Sequence, residues 1–152
     1  MKYVVTLFFT LMVYGAEAQS GFSSRKETGV AVGLSGGYSS IKSVVGNYSI
    51  GAMLNHQNHI SVNLEVFSKA SHSDVPVIGE LRMGHVFETI ELYAGYGYHC
   101  ASTDGYKSAG DKVNGFKPAF GVIKYFYNKP FSVSAGMSGK IFSIQLGIFG
   151  VR

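Results

Sequence analysis

The sequence predicts an all-β chain: an eight-stranded antiparallel up-and-down transmembrane β-barrel that follows a cleaved signal peptide. Three observations lead there. From Thr28 onward, apolar residues alternate with small or polar ones at period two, the signature of strands with two unlike faces. Breaks in the alternation leave eight segments, most of them near the roughly 9–11 residues of a tilted strand crossing a bilayer. Charged residues are only 14% of the chain, beside 14% aromatic residues and 20 glycines. A small soluble domain carries about 25–35% charged residues on its surface, so the apolar surface of this chain has to face something other than water.

The elements follow in order. Lys2, the apolar run Tyr3 to Tyr14 and the small-residue ending Gly15-Ala-Glu-Ala18 make a signal peptide over 1–18, with Gln19 as the mature first residue. The run is shorter than the roughly 20 apolar residues of a membrane-spanning helix. Residues 19–27 are a short periplasmic segment, and the barrel occupies 28–152. The first strand, 28–36, alternates Val30, Val32 and Leu34 with Ala31, Gly33 and Ser35; the second, 46–54, alternates Tyr48, Ile50, Ala52 and Leu54 with Ser49, Gly51 and Met53. In the third, 59–68, Ile60, Val62, Leu64 and Val66 share one face and Ser61, Asn63 and Glu65 the other. The fourth, 76–87, places Glu80 and Arg82 on its polar face, and the sixth, 115–127, places Lys117 there. The fifth, 90–99, sets Ile90, Leu92, Ala94, Tyr96 and Tyr98 against Glu91, Tyr93, Gly95, Gly97 and His99. The seventh, 131–137, and the eighth, 141–151, repeat the alternation with Phe131, Val133 and Ala135, then Ile144, Leu146 and Ile148. No stretch has a 3.6-residue period, so no helix is expected beyond the signal peptide.

Connections carry the orientation. Residues 55–58, 88–89 and 128–130 read as tight turns, while 37–45, 69–75 and 100–114 read as longer polar loops between them; the last connection, around Ser138-Gly-Lys140, is short where a long one is due. Tight turns then gather at one end, the periplasmic end of an outer-membrane barrel, and loops at the other. Pro76, Pro118 and Pro130 are expected at strand ends or in a turn, where a missing N–H costs least.

Side-chain size decides which face is outside. The second face is mostly Gly, Ser and Ala, a poor water-facing exterior but a good lining for an eight-stranded lumen only wide enough for side chains to fill. The apolar face therefore points to lipid, with Tyr48 and Tyr98 near the outer rim, Phe87, Phe126 and Phe131 near the periplasmic one, and Tyr96 also among the interface aromatics. Inside, Glu65, Glu80, Arg82, Glu91 and Lys117 are expected to form a polar cluster centred on Arg82 and its carboxylates, closing the lumen to bulk flow. Depending on register, Arg82 should lie opposite or diagonal to Glu65. His85 and Lys124 break the pattern by falling on the lipid face; reach to the headgroups or a β-bulge would accommodate them.

Recognition is expected in the loops, where Lys42, Lys69, Lys107 and Lys112 could meet lipid phosphates and Asp104, Tyr106 and Asp111 sit in the longest one. A net charge of +4 with scattered lysines leaves no nucleic-acid footprint. The one cysteine, Cys100, reads as a free thiol. Ser71-His72-Ser73-Asp74 contains the residue types of a catalytic triad, but as immediate neighbours in a loop, whereas a triad is defined by geometry. His56 and His59 flank a turn without a third ligand, and the glycines match no phosphate-binding loop, so no metal or cofactor is implied.

Over the mature chain this pattern resembles the small eight-stranded outer-membrane barrels of the OmpX, Opa and OmpA-barrel group and the outer-membrane barrels of Bacteroidota. Such barrels commonly finish on an aromatic residue, whereas here Phe149 is followed by Gly150-Val151-Arg152. The junction Ala18-Gln19 and the final stretch Gly139 to Arg152 resemble TraO, a conjugal-transfer protein. The resemblance implies a monomeric, non-enzymatic protein of the bacterial outer membrane. Its partners would be membrane lipid, lipopolysaccharide and envelope or host surface proteins, or, on the TraO-like reading, a conjugal-transfer or envelope assembly. Some barrels of this size modify lipid A, which keeps an enzyme as a third reading.

Overall fold

A computed structural model describes residues 29–41, 43–54, 57–68, 77–100, 115–126 and 129–151. Eight strands follow one another: β1 (Gly29–Ser39), β2 (Val44–Leu54), β3 (Asn58–Phe67), β4 (Val77–Phe87), β5 (Ile90–Cys100), β6 (Gly115–Tyr125), β7 (Phe131–Ser138) and β8 (Ile141–Val151). Each pairs antiparallel with the next, and β1 pairs with β8 to close the barrel. Closure leaves no sheet edge, which a strand assembly in lipid requires because nothing there can hydrogen-bond a bare backbone edge.

The two faces fall as the alternation predicts. In β3 the pattern is perfect: Ile60, Val62, Leu64 and Val66 are exposed on the outside, and His59, Ser61, Asn63, Glu65 and Phe67 are buried inside. Large apolar side chains stand exposed all round the exterior, Leu81, Met83, Phe120 and Leu146 among them. The usual arrangement of a soluble protein is thus inverted, with apolar residues outside and most buried polar ones inside.

Several boundaries differ from the sequence reading. The segment 37–45 is not a long loop: β1 runs to Ser39 and β2 starts at Val44, with Gly36 paired to Gly46 and Tyr38 to Val44. Glycine and serine suggested a loop, but Gly37 is a point of close approach between strands. A Cβ there would collide with the Ile144 carbonyl oxygen of β8, where the barrel closes. The strict alternation of short and long connections therefore does not hold, since the β1–β2 connection spans only 40–43; 68–76 and 101–114 remain the long ones, at the same end.

Pro118 lies within β6 and not at a strand end. Its carbonyl accepts the Gly139 N–H at 2.8 Å, so its nitrogen also faces the β7 side. Pairing between β6 and β7 begins only at Ala119–Ser138, so no ladder donor is lost. His85 and Lys124 sit in unbroken registers, without a bulge. Both remain on the exterior near the tight-turn end, where His85 Nδ1 lies 3.0 Å from Asn58 Oδ1 and Lys124 Nζ donates to Thr89 Oγ1 at 2.5 Å.

Candidate functional site

Side chains meet inside the barrel in layers, and each layer follows from the parity of the strands that feed it. At its centre Arg82 Nε donates to Glu80 Oε2 at 2.5 Å, and Nη2 donates to Glu65 Oε1 at 2.8 Å. Gln145 of β8 donates from Nε2 to the same Glu65 oxygen at 3.1 Å, and its Oε1 accepts the Ser35 hydroxyl of β1 at 2.6 Å. The chain of bonds thus crosses the barrel from β4 through β3 to β8 and β1. The Arg82 guanidinium also lies 4.5 Å from the centre of the Tyr93 ring, covering a π-face.

Arg82 reaches Glu65 differently from the sequence expectation. It pairs with Ser61, whereas Glu65 pairs with Ile78, so the two are neither opposite nor diagonal. The arginine stem runs along the lumen past Glu80, and its length makes up for the register. Of the five residues expected in this cluster, the structure unites Glu65, Glu80 and Arg82.

Glu91 belongs to a second layer nearer the tight turns. Its Oε2 accepts the Tyr125 hydroxyl at 2.5 Å, and its Oε1 lies 3.1 Å from His59 Nδ1. Gly84, on the neighbouring strand, makes room for this carboxylate: a Cβ there would overlap Glu91 Oε1. Phe149 packs against both partners, its ring 4.8 Å from Tyr125 and 5.6 Å from His59. His59 is therefore a lumen residue and not a turn histidine; His56, its suggested companion, lies outside the described residues. Among the described residues no group of three or more His, Cys, Asp or Glu side chains converges as metal ligands would.

Between these layers a cavity of about 40 Å³ is lined by His59, Asn47, Ser49, Asn63, Arg82 and Glu91 among others. His59 Nε2 and Asn47 Oδ1 are buried and meet no hydrogen-bonding group of the protein. The space is large enough for water. Lys117 stands apart near the loop end, on the inward row of β6 and next to Gly139. There His99 Nε2 lies 2.8 Å from Ser138 Oγ, a buried pair linking β5 to β7.

The loop end holds a layer that the sequence reading missed. Val45, Phe67 and Ile78 are fully buried inside the barrel, with Ile41 and Ile141 packed against them. Parity alone could have found these residues, since Phe67 follows Ser61, Asn63 and Glu65 at period two, as Tyr125 follows Lys117.

On the exterior, Phe87, Phe126 and Phe131 mark the tight-turn end, and Tyr96 and Tyr98 are exposed on β5. Tyr48 is not at the rim: β2 begins at Val44, and Tyr48 is paired inside the strand with Leu34 and Leu64. The rings near the loop end are Tyr38, Tyr98, Phe116 and Phe142, Tyr98 and Phe116 meeting edge-on at 5.1 Å. Lys42, Lys69, Asp104, Tyr106, Lys107, Asp111, Lys112 and the segment Ser71 to Asp74 lie outside the described residues.

A designed barrel, from work described as "De novo design of transmembrane beta-barrels", is similar in structure, with a TM-score of 0.55 and 15% identity over 82% of this chain and 95% of the designed one. No protein-family model matches the chain, and no curated protein matches it. The chain has the fold of a transmembrane β-barrel, and its apolar exterior is the face such a fold turns to lipid.

Proposed function

We propose that this chain is a bacterial outer-membrane barrel with a structural or surface-interaction role and a lumen closed to bulk flow. One observation carries the reading: the Arg82–Glu65–Gln145–Ser35 chain of bonds ties opposite walls of a barrel whose exterior is apolar. A conducting pore needs a water-filled passage, whereas here an ion-pair layer lies behind the apolar layer of Val45, Phe67 and Ile78. With the interior occupied, recognition is left to the connections at the loop end, 68–76 and 101–114 being the longest.

The test has two parts. Protein extracted in mild detergent from outer membranes should migrate differently on a gel before and after boiling, as a closed barrel does. Reconstituted in a planar bilayer, it should give no stepwise conductance. Recovery as a soluble protein without a mobility shift would overturn the membrane assignment, and steady channel currents would overturn the closed lumen.

A further inference from the structure

We propose that the outer wall carries a binding site for one anionic phospholipid: an acyl chain lies in the furrow where β7, β8 and β1 meet, and the phosphate lies against the turn bearing Lys129. The inference rests on the membrane-spanning reading above and adds a specific lipid to it.

The furrow has a volume of about 410 Å³, within the roughly 300–1,000 Å³ of small-molecule sites. Its lining includes Phe126, Phe131, Val133, Leu146, Gly36 and Gly147. Register explains why a depression forms. Leu146 pairs with Val133 on one side and Gly36 on the other, so its neighbour on β1 has no side chain to level the wall. The furrow starts at Phe126 and Phe131 beside the tight turn and runs along β7, β8 and β1 toward the middle of the barrel. An acyl chain entering from the headgroup level takes the same path.

Charge at the mouth selects the head. Lys129 is exposed in the connection between Phe126 and Phe131. That connection is held by the Lys129 N–H donating to the Phe126 carbonyl and the Phe126 N–H donating to the Phe131 carbonyl, both at 3.1 Å. Lys124, although paired with Val133 of the furrow, turns its ammonium the other way, to Thr89, and so leaves Lys129 as the cation of this mouth among the described residues. Glu88 lies on the β4–β5 hairpin, on the far side of β6 from the furrow. Phosphate near the mouth therefore meets the Lys129 ammonium, and the aromatic rings of Phe126 and Phe131 flank the glycerol level.

Gly36 offers a test that leaves the backbone alone. A Cβ there would meet only the Val45 carbonyl oxygen, at 3.7 Å, an ordinary contact, so a side chain starting from Gly36 extends on the lipid side into the furrow beside Leu146. The purified barrel is equilibrated in detergent with equal amounts of phosphatidylglycerol and phosphatidylcholine, and retained lipid is counted by native mass spectrometry. The parent should keep one phosphatidylglycerol, preferred about fivefold over phosphatidylcholine, the ratio expected for one lysine near an anionic head. Gly36→Leu should lose the retained lipid while keeping its heat-modifiable mobility, and Lys129→Gln should keep lipid but lose the preference. Equal retention of both lipids by the parent would overturn the anionic head. Undiminished retention by Gly36→Leu would overturn the furrow as the site. A dimer mass in place of bound lipid would assign the furrow to a second copy of the chain. Loss of the mobility shift in the parent itself would instead remove the membrane reading, and this inference with it.

Discussion

The Tyr93 hydroxyl occupies the space that a Cβ on Gly136 would need. Tyr93 stands on β5 and Gly136 on β7, so the ring crosses the inner surface of β6, where Gly121 likewise leaves it room. The alternation of tyrosine and glycine in β5 has the same logic at each step. Gly95 permits the close approach of the β4 backbone at Leu81 and Arg82, Gly97 makes room for Glu80 and Ser138, and Tyr96 and Tyr98 face outward.

Gly136→Ala should therefore overpack the lumen and cost about 1–3 kcal/mol, the usual range when a methyl is forced into a packed interior. Tyr93→Phe removes the atom that a new Cβ would meet. Urea unfolding of both single variants and the double variant tests the coupling: the double should be more stable than the sum of the two losses, and simple additivity would show that the tyrosine does not fill that space.

Arg82→Ala leaves Glu65 and Glu80 buried without their cation and should cost about 3–5 kcal/mol. The contrast is with the triple variant Arg82→Met, Glu65→Leu, Glu80→Leu, which removes all three charges and should be far less damaging. Measured by the temperature at which the folded gel form disappears, an Arg82→Ala barrel as resistant as the parent would remove the ion-pair layer from the account of stability.

The strands and their faces were legible because period two is a local property, readable one strand at a time. The polar layers were not, because they depend on which strands meet across a closed lumen. Glu91 looked like a partner for Arg82 by parity, yet it is bonded to His59 and Tyr125, one at the edge of a turn and one from within an aromatic run. The early end of the first strand had another cause. Gly36 and Gly37 have the composition of a loop, and the reason Gly37 is a glycine, the β8 backbone against it, lies more than a hundred residues away in the chain.

Glu88 is the non-glycine residue with positive φ among those described, at 51°, in the two-residue turn that joins Phe87 to Ile90. A left-handed conformation costs an ordinary L-residue about 1–2 kcal/mol, and asparagine bears it more easily. Glu88→Asn should raise stability by about 0.5–1 kcal/mol by relieving the turn. Unfolding in urea with an unchanged slope and a higher midpoint would agree; a lower midpoint would mean that the glutamate makes a stabilising interaction outweighing the strain.

Orientation can be read from the one cysteine of the chain. Cys100 ends β5 at the loop end, exposed and free, one outward step beyond Tyr98. Tyr98 and Phe116 form a ring pair near the loop end, and if such rings mark the membrane interface the thiol is expected on the watery side of it. If the chain is the outer-membrane barrel proposed above and its loop end faces outward, a bulky membrane-impermeant maleimide should label Cys100 in intact cells. A cysteine introduced at Thr89 in a Cys100→Ser background, in the tight turn at the other end, should be labelled only after the outer membrane is breached. The reverse pattern would turn the barrel over, placing 68–76 and 101–114 in the periplasm, and the partners of those loops would then be periplasmic rather than external.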